Sequence, residues 1–234
     1  MTFYLVAAAP VCPPERPFSR RSAYNWSVSQ VRIRSIHEPF RDRESAVEAA
    51  FLLVEAEAMG LLREEDAPIE RLDEDAVRRV AARVRDAGIG EAAALPLLIP
   101  GLAADLAGVL RGLREALEES PVPRSEWPAV QEVLGSELLA RLLGVSETSV
   151  KRYAVGSRAT PDEVAERLHF LARLTGYLAG AYNDVGIRRW FHRKRSALGR
   201  RSPADFLRAG WVPDAAGPRR VLALARDLVY ASAT

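Results

Sequence analysis

Apolar residues recur at helical spacing along most of this chain, and the regular pattern begins near Asp42. From Asp42 to Leu62, the residues Ala46, Ala49, Ala50, Leu53, Val54 and Met59 fall close to one face, and Gly60 comes near the end. Spacing of three and four is what an amphipathic helix requires. Leu72, Val77, Val80, Ala81 and Val84 repeat it, and the glycines of Asp86-Ala87-Gly88-Ile89-Gly90 supply a stop. Residues 91–118 predict one or two more helices, interrupted around Pro96 and Pro100-Gly101. Further on, Thr160-Pro161-Asp162-Glu163 predicts a helix start. Thr160 serves as cap, Pro161 as first helical residue, and Glu163 closes a capping box. That helix runs to about Gly180, with Leu168, Leu171, Ala172, Leu174 and Leu178 as its apolar side. Ser202-Pro203-Ala204-Asp205 repeats the capping logic for a shorter helix, and Gly217-Pro218 opens a last one.

Two stretches depart from this rhythm. Residues 1–41 hold Pro10, Pro13, Pro14 and Pro17 without a period, and only "VSQVRIRSI" alternates, like a short edge strand. They read as a tail. "SPVPRSEWP", residues 120–128, has three prolines in nine residues and reads as a linker, with a short helix after Pro128. The expectation is an all-α, multi-helical protein. Its parts are a tail (1–41), a helical region (42–119), the linker (120–128), a paired-helix region (129–179) and a C-terminal module (180–234).

Composition agrees, since only 7% of the residues are aromatic while Ala, Leu, Arg and Glu abound, which favours helix over strand. Charge adds something new. Residues 37–135 carry 11 Lys and Arg against 21 Asp and Glu, a net −10. Residues 136–220 carry 16 against 8, a net +8. A polyanion partner for the second half would produce this asymmetry, and so would two solvated surfaces that drifted apart. The single cysteine, Cys12, cannot form an internal disulfide. No apolar run approaches a membrane span, and no basic residue precedes the short apolar "FYLVAAAPV". A cytoplasmic protein without a membrane partner is expected.

The most specific local signal is Ser136 to Tyr153. Ala140 is small enough for a second helix to pass close over the first. Gly144 permits the positive φ that ends the first helix sharply. Leu139, Leu143, Val145, Val150 and Tyr153 offer apolar contacts, and Ser146 suits an N-cap. This is the pattern of a DNA-reading helix-turn-helix, and also of a plain corner in a helical bundle. On the DNA reading, Thr148, Ser149 and Arg152 face base edges, Lys151 and Arg158 hold the backbone, and Ser146, the cap, completes the DNA-binding set.

The second signal is "GAYNDVGIRRWFHRKRSALGRRSPADFLRAGW", Gly180 to Trp211, with seven Lys and Arg between Arg188 and Arg201 around Trp190 and Phe191. Three uses fit: a single-strand or RNA surface, a protein interface, or a small aromatic core with a solvated basic face. The order helix-turn-helix, then "AYN…IRRWFHR…LGRRSPADFL", then "RRVLALARDL" resembles the Xre/MbcA/ParS-type antitoxins over about residues 130–231. The resemblance implies an antitoxin of a type II toxin–antitoxin system. Such a protein neutralises a RES-domain, NAD-degrading toxin and represses its own operon by binding double-stranded operator DNA. It would act as a homodimer or a toxin–antitoxin hetero-oligomer. It implies that Arg188, Trp190, Phe191, Arg193, Leu198, Ser202, Pro203 and Phe206 belong to the toxin-binding module. The acidic region 42–118 has no counterpart in that pattern. The competing expectation is therefore a stand-alone transcriptional regulator with an acidic partner-binding region.

Catalytic signals are sparse. His37, His169 and His192 are scattered without metal-ligand spacing, and His169, among apolar residues, reads as a core or boundary residue. No Walker loop or strand-following GxGxxG occurs. Neither an enzyme nor a cofactor is expected.

Overall fold

The computed structural model describes residues 30–62, 67–99, 105–208 and 210–232. The fold is all-α and multi-helical, with one two-stranded sheet among these residues. Strand β1 (Val31–Ile36) pairs in parallel with β2 (Ile69–Leu72), Val31 opposite Ile69 and Ile36 opposite Leu72. Parallel strands need a crossover, and helix α1 (Arg43–Ala58) supplies it. Asp42 caps α1 by accepting from the Ser45 N–H at 2.8 Å. Asp73 caps α2 (Glu74–Asp86) in the same way, accepting from the Ala76 N–H at 2.9 Å. Helices α3 (Glu91–Leu98) and α4 (Leu106–Glu119) complete the acidic region.

The second half is α5 (Pro123–Leu134), α6 (Ser136–Leu143), α7 (Glu147–Ala154), α8 (Asp162–Ala179), α9 (Asp184–His192), α10 (Pro203–Phe206) and α11 (Ala216–Ser232). A 3-10 turn, Ser196–Leu198, precedes α10. The long helix α8 sits at the centre, packed against α1, α5 and α11. From Leu168 to Leu178 it is buried almost all round, as expected of a helix enclosed on several sides. Gly176 lets α1 approach, because a Cβ there would lie 2.9 Å from the Ala58 methyl. The buried apolar residues form one cluster from Phe40 to Ala225, spanning both halves.

Four expectations need correction. The tail contracts: Phe40 is buried in the core, and residues 31–36 form the short strand that the alternation predicts, here paired with β2. Residues 1–29, with Cys12 and the apolar N-terminal stretch, lie outside the described residues. Leu72 belongs to β2 and not to the helix after it, because Asp73 caps that helix. The linker is largely helix: Pro123 stands in the first turn of α5, where a missing N–H costs nothing. Trp127 and Glu126 of the same stretch are buried. Finally, Thr160 does not cap α8, which starts at Asp162 after Pro161. Its hydroxyl instead accepts from the Trp127 indole N–H at 2.9 Å.

Candidate nucleic-acid and partner interfaces

Helices α6 and α7 are joined by the three residues Gly144, Val145 and Ser146. Gly144 has φ 72°, and the Val145 N–H donates to the Ala140 carbonyl at 3.0 Å. This is the left-handed turn that closes orphan carbonyls at a helix end. Ser146 caps α7, accepting from the Ser149 N–H at 3.1 Å. Leu139, Leu143, Val150 and Tyr153 are buried between the helices and their neighbours. Tyr153 stacks on Trp127 of α5 at 5.4 Å. The last carbonyls of α6 are held from elsewhere: Leu142 accepts from the Trp211 indole N–H at 2.7 Å, and Leu143 from Arg167 at 3.3 Å.

Ser146, Thr148, Lys151, Arg152 and Arg158 are exposed, and Ser149 is half-buried. The six residues predicted to touch DNA therefore lie along one short helix, at its N-cap and in the loop that follows it, five of them exposed. Arg158 sits over the Tyr153 ring at 5.5 Å. Val155, at the end of α7, is 76% exposed.

The C-terminal residues separate into two kinds. Trp190, Phe191, Leu198, Ser202 and Pro203 are buried, and Phe206 is half-buried. Trp190 meets Phe191 edge-on at 5.5 Å. Ser202 and Asp205 form the predicted capping box, with the Ser202 N–H donating to the Asp205 carboxylate at 2.9 Å. The backbone and side-chain hydrogen bonds from Ser202, joined by Arg208, hold the Asp205 carboxyl below the usual range. Arg188 donates to the Val133 and Glu132 carbonyls at 2.6 and 3.2 Å, tying α9 to the end of α5. Of the eight residues assigned to partner binding, only Arg193 is exposed. The residues that bring the motif into view are mainly those that build it. Its outer surface consists of exposed cations such as Lys194, Arg200, Arg201 and Arg208.

A polar network between the halves escaped the sequence reading. Glu48 on α1 accepts from Arg114 on α4 at 3.0 Å, and Arg114 donates to Glu118 at 2.8 Å. Glu118 also pairs with Arg173 on α8. The Tyr177 hydroxyl donates to Glu55, which is fully buried, at 2.9 Å. Burial foremost, then the charge of Glu118, pushes the Glu55 carboxyl up to about 8, against the pull of Arg114. His169 is also buried and donates its Nε2–H to the Glu118 carbonyl at 2.8 Å. Its Nδ1 lies 2.5 Å from the Glu126 carboxylate. One signal was present: Glu55 shares a helical stripe with Leu52 and Met59.

Among the described residues, no group of three or more metal-ligating side chains converges, and no helix is long and apolar enough to cross a membrane. No family model, no curated protein and no solved structure matches this chain.

Proposed function

We propose that the chain is a DNA-binding repressor that also neutralises a protein partner, an antitoxin of a type II toxin–antitoxin system acting on a RES-domain, NAD-degrading toxin. The observation that carries the DNA half is α7. It is short, capped by Ser146, set by the Gly144 turn, and presents Thr148, Lys151 and Arg152 to solvent. A helix so held enters a major groove N-terminus first, and its hydroxyls and guanidinium read base edges. The partner half is supported by the order of motifs from Tyr182 to Leu228. Its contacts fall on Arg193 and the exposed cations around it rather than on Trp190 or Phe191, which are core.

An electrophoretic shift on the DNA upstream of the gene tests the DNA half. Lys151→Glu with Arg152→Glu is expected to weaken binding at least about tenfold, and Lys151→Gln alone to lower the salt slope by about one. Unchanged binding by the double variant would sink the docking. Co-expression with the neighbouring gene tests the partner half. A chain without residues 180–234 is expected to fail to rescue growth, and rescue by it would remove the assignment.

A second reading, a stand-alone regulator whose acidic region binds a partner, draws on the Tyr177–Glu55 contact, which makes α1 part of the same packed body as α8. It predicts retained DNA binding with no toxin to neutralise.

A further inference from the structure

Arg195 lies between the exposed residues Lys194 and Ser196 and is itself half-buried. Its guanidinium carbon sits 5.2 Å over the Trp190 ring. The backbone holds it there: the Arg195 N–H donates to the Arg201 carbonyl at 2.9 Å, and the Arg195 carbonyl accepts from the Arg200 N–H at 2.8 Å. Arg200 adopts φ 63°, a left-handed conformation that L side chains rarely take. Backbone strain of this kind persists where its surroundings enforce it, and it gathers at binding sites.

The side chain is unmatched. Nε and Nη2 of Arg195 are covered yet have no hydrogen-bond partner, and the same holds for Nε1 of Trp190, a residue 1% exposed. Buried donors left unpaired are costly, most of all on a cation, and native folds rarely keep them without a reason.

Nε and Nη2 form one edge of the guanidinium. Two parallel N–H groups on that edge match two oxygens of a carboxylate or a phosphate. The Trp190 ring below fixes the plane of the fork, as an aromatic face does for a cation. We propose that Arg195, seated on Trp190 within the strained 195–201 loop, is a binding site for an oxyanion, a phosphate or carboxylate group taken side-on by Nε and Nη2. Both donors are covered in this conformation, so the proposal includes a rotation of the Arg195 side chain that uncovers the edge when the ligand binds. The site does not depend on the DNA or antitoxin reading.

The test is thermal unfolding of the full chain with sodium phosphate, sodium acetate or sodium chloride at matched ionic strength. Phosphate or acetate is expected to raise the midpoint above the chloride value by about 2 °C or more, and which of them does so identifies the oxyanion. Arg195→Gln removes the fork and is expected to lose the shift. Arg195→Lys keeps the charge without the fork and loses it too. Lys194→Gln, one exposed charge away, retains it. Circular dichroism checks that each variant is folded, and calorimetric titration of inorganic phosphate into wild type and Arg195→Lys gives a readout free of stability changes. The proposal is overturned if neither oxyanion exceeds chloride, if Arg195→Lys binds phosphate as wild type does, or if Lys194→Gln loses as much as Arg195→Gln.

Discussion

Glu55 places a carboxyl where α1 should carry a hydrocarbon, and the rest of the network answers it. Tyr177 donates to one oxygen, Arg114 stands 3.6 Å away, and the other oxygen has no partner. With a pKa raised from 4.5 to about 8, the group is largely protonated in the folded chain at neutral pH. The unfolded chain holds fewer protons between those values, so stability falls as pH rises from about 4.5 to 8 and levels off above. The slope from this residue approaches about 1.4 kcal/mol per pH unit. Glu55→Gln keeps the shape and the acceptor for Tyr177 without an ionisable group. Chemical denaturation at several pH values is expected to show the decline in wild type and a flatter line in the variant, which is more stable at pH 8. A variant as pH-dependent as wild type would show that Glu55 is not the group responsible. The stripe Leu52-Glu55-Met59 was readable in the sequence, but the groups that tolerate Glu55 lie on α4 and α8, 59 and 122 residues away from it for Arg114 and Tyr177. Period alone does not reveal which distant polar side chains will meet.

At the scale of elements, the sequence was most legible where a short stretch determines its own geometry. Ala140, Gly144 and Ser146 specify the α6–α7 turn from within, and Ser202 with Asp205 specifies the start of α10. Proline misled where its position mattered more than its number. Pro123 begins α5 instead of breaking the chain, and the apolar and polar partners of Trp127 lie in later elements, at Tyr153 and Thr160. The same capture by Trp127 took Thr160 from its expected capping role. Five of the eight residues assigned to the C-terminal module are buried, because such signatures mark packing before they mark contact. The α6–α7 turn yields a direct prediction. Gly144→Val forces a β-branched residue into φ 72°, at a cost of about 1–2 kcal/mol. Denaturant unfolding measures it, and if the proposed DNA docking holds, binding weakens together with stability. A variant as stable as wild type would mean that the turn relaxes to another conformation, and α7 would then lose its fixed direction.

At the scale of the whole molecule, the charge boundary between the acidic and basic halves is not a structural boundary. Helix α8 of the basic half takes three polar partners from the acidic half: Tyr177 meets Glu55, Arg173 meets Glu118, and His169 meets the Glu118 carbonyl. Gly176 meets Ala58 across the same seam, and α5, which replaces the expected linker, packs on both α1 and α8. Cutting before α5 therefore strips the buried His169 and Tyr177 and the half-buried Arg173 of acceptors, and uncovers the face of α8 that packs on α1 at Gly176. Unpaired buried polar groups and lost apolar burial each destabilise by kilocalories, against a total of about 5–15 kcal/mol for a domain. The full chain is expected to unfold in one calorimetric transition, with equal calorimetric and van't Hoff enthalpies. A fragment of residues 120–234 should retain helix by circular dichroism but melt without cooperativity. Two resolved transitions, together with a fragment that melts sharply, would mean that the seam is a docking surface between independent domains. If the single transition is found, a ligand bound anywhere on the acidic half acts on the same folding equilibrium that holds α7 in place, and the acidic region is part of the machinery that presents that helix.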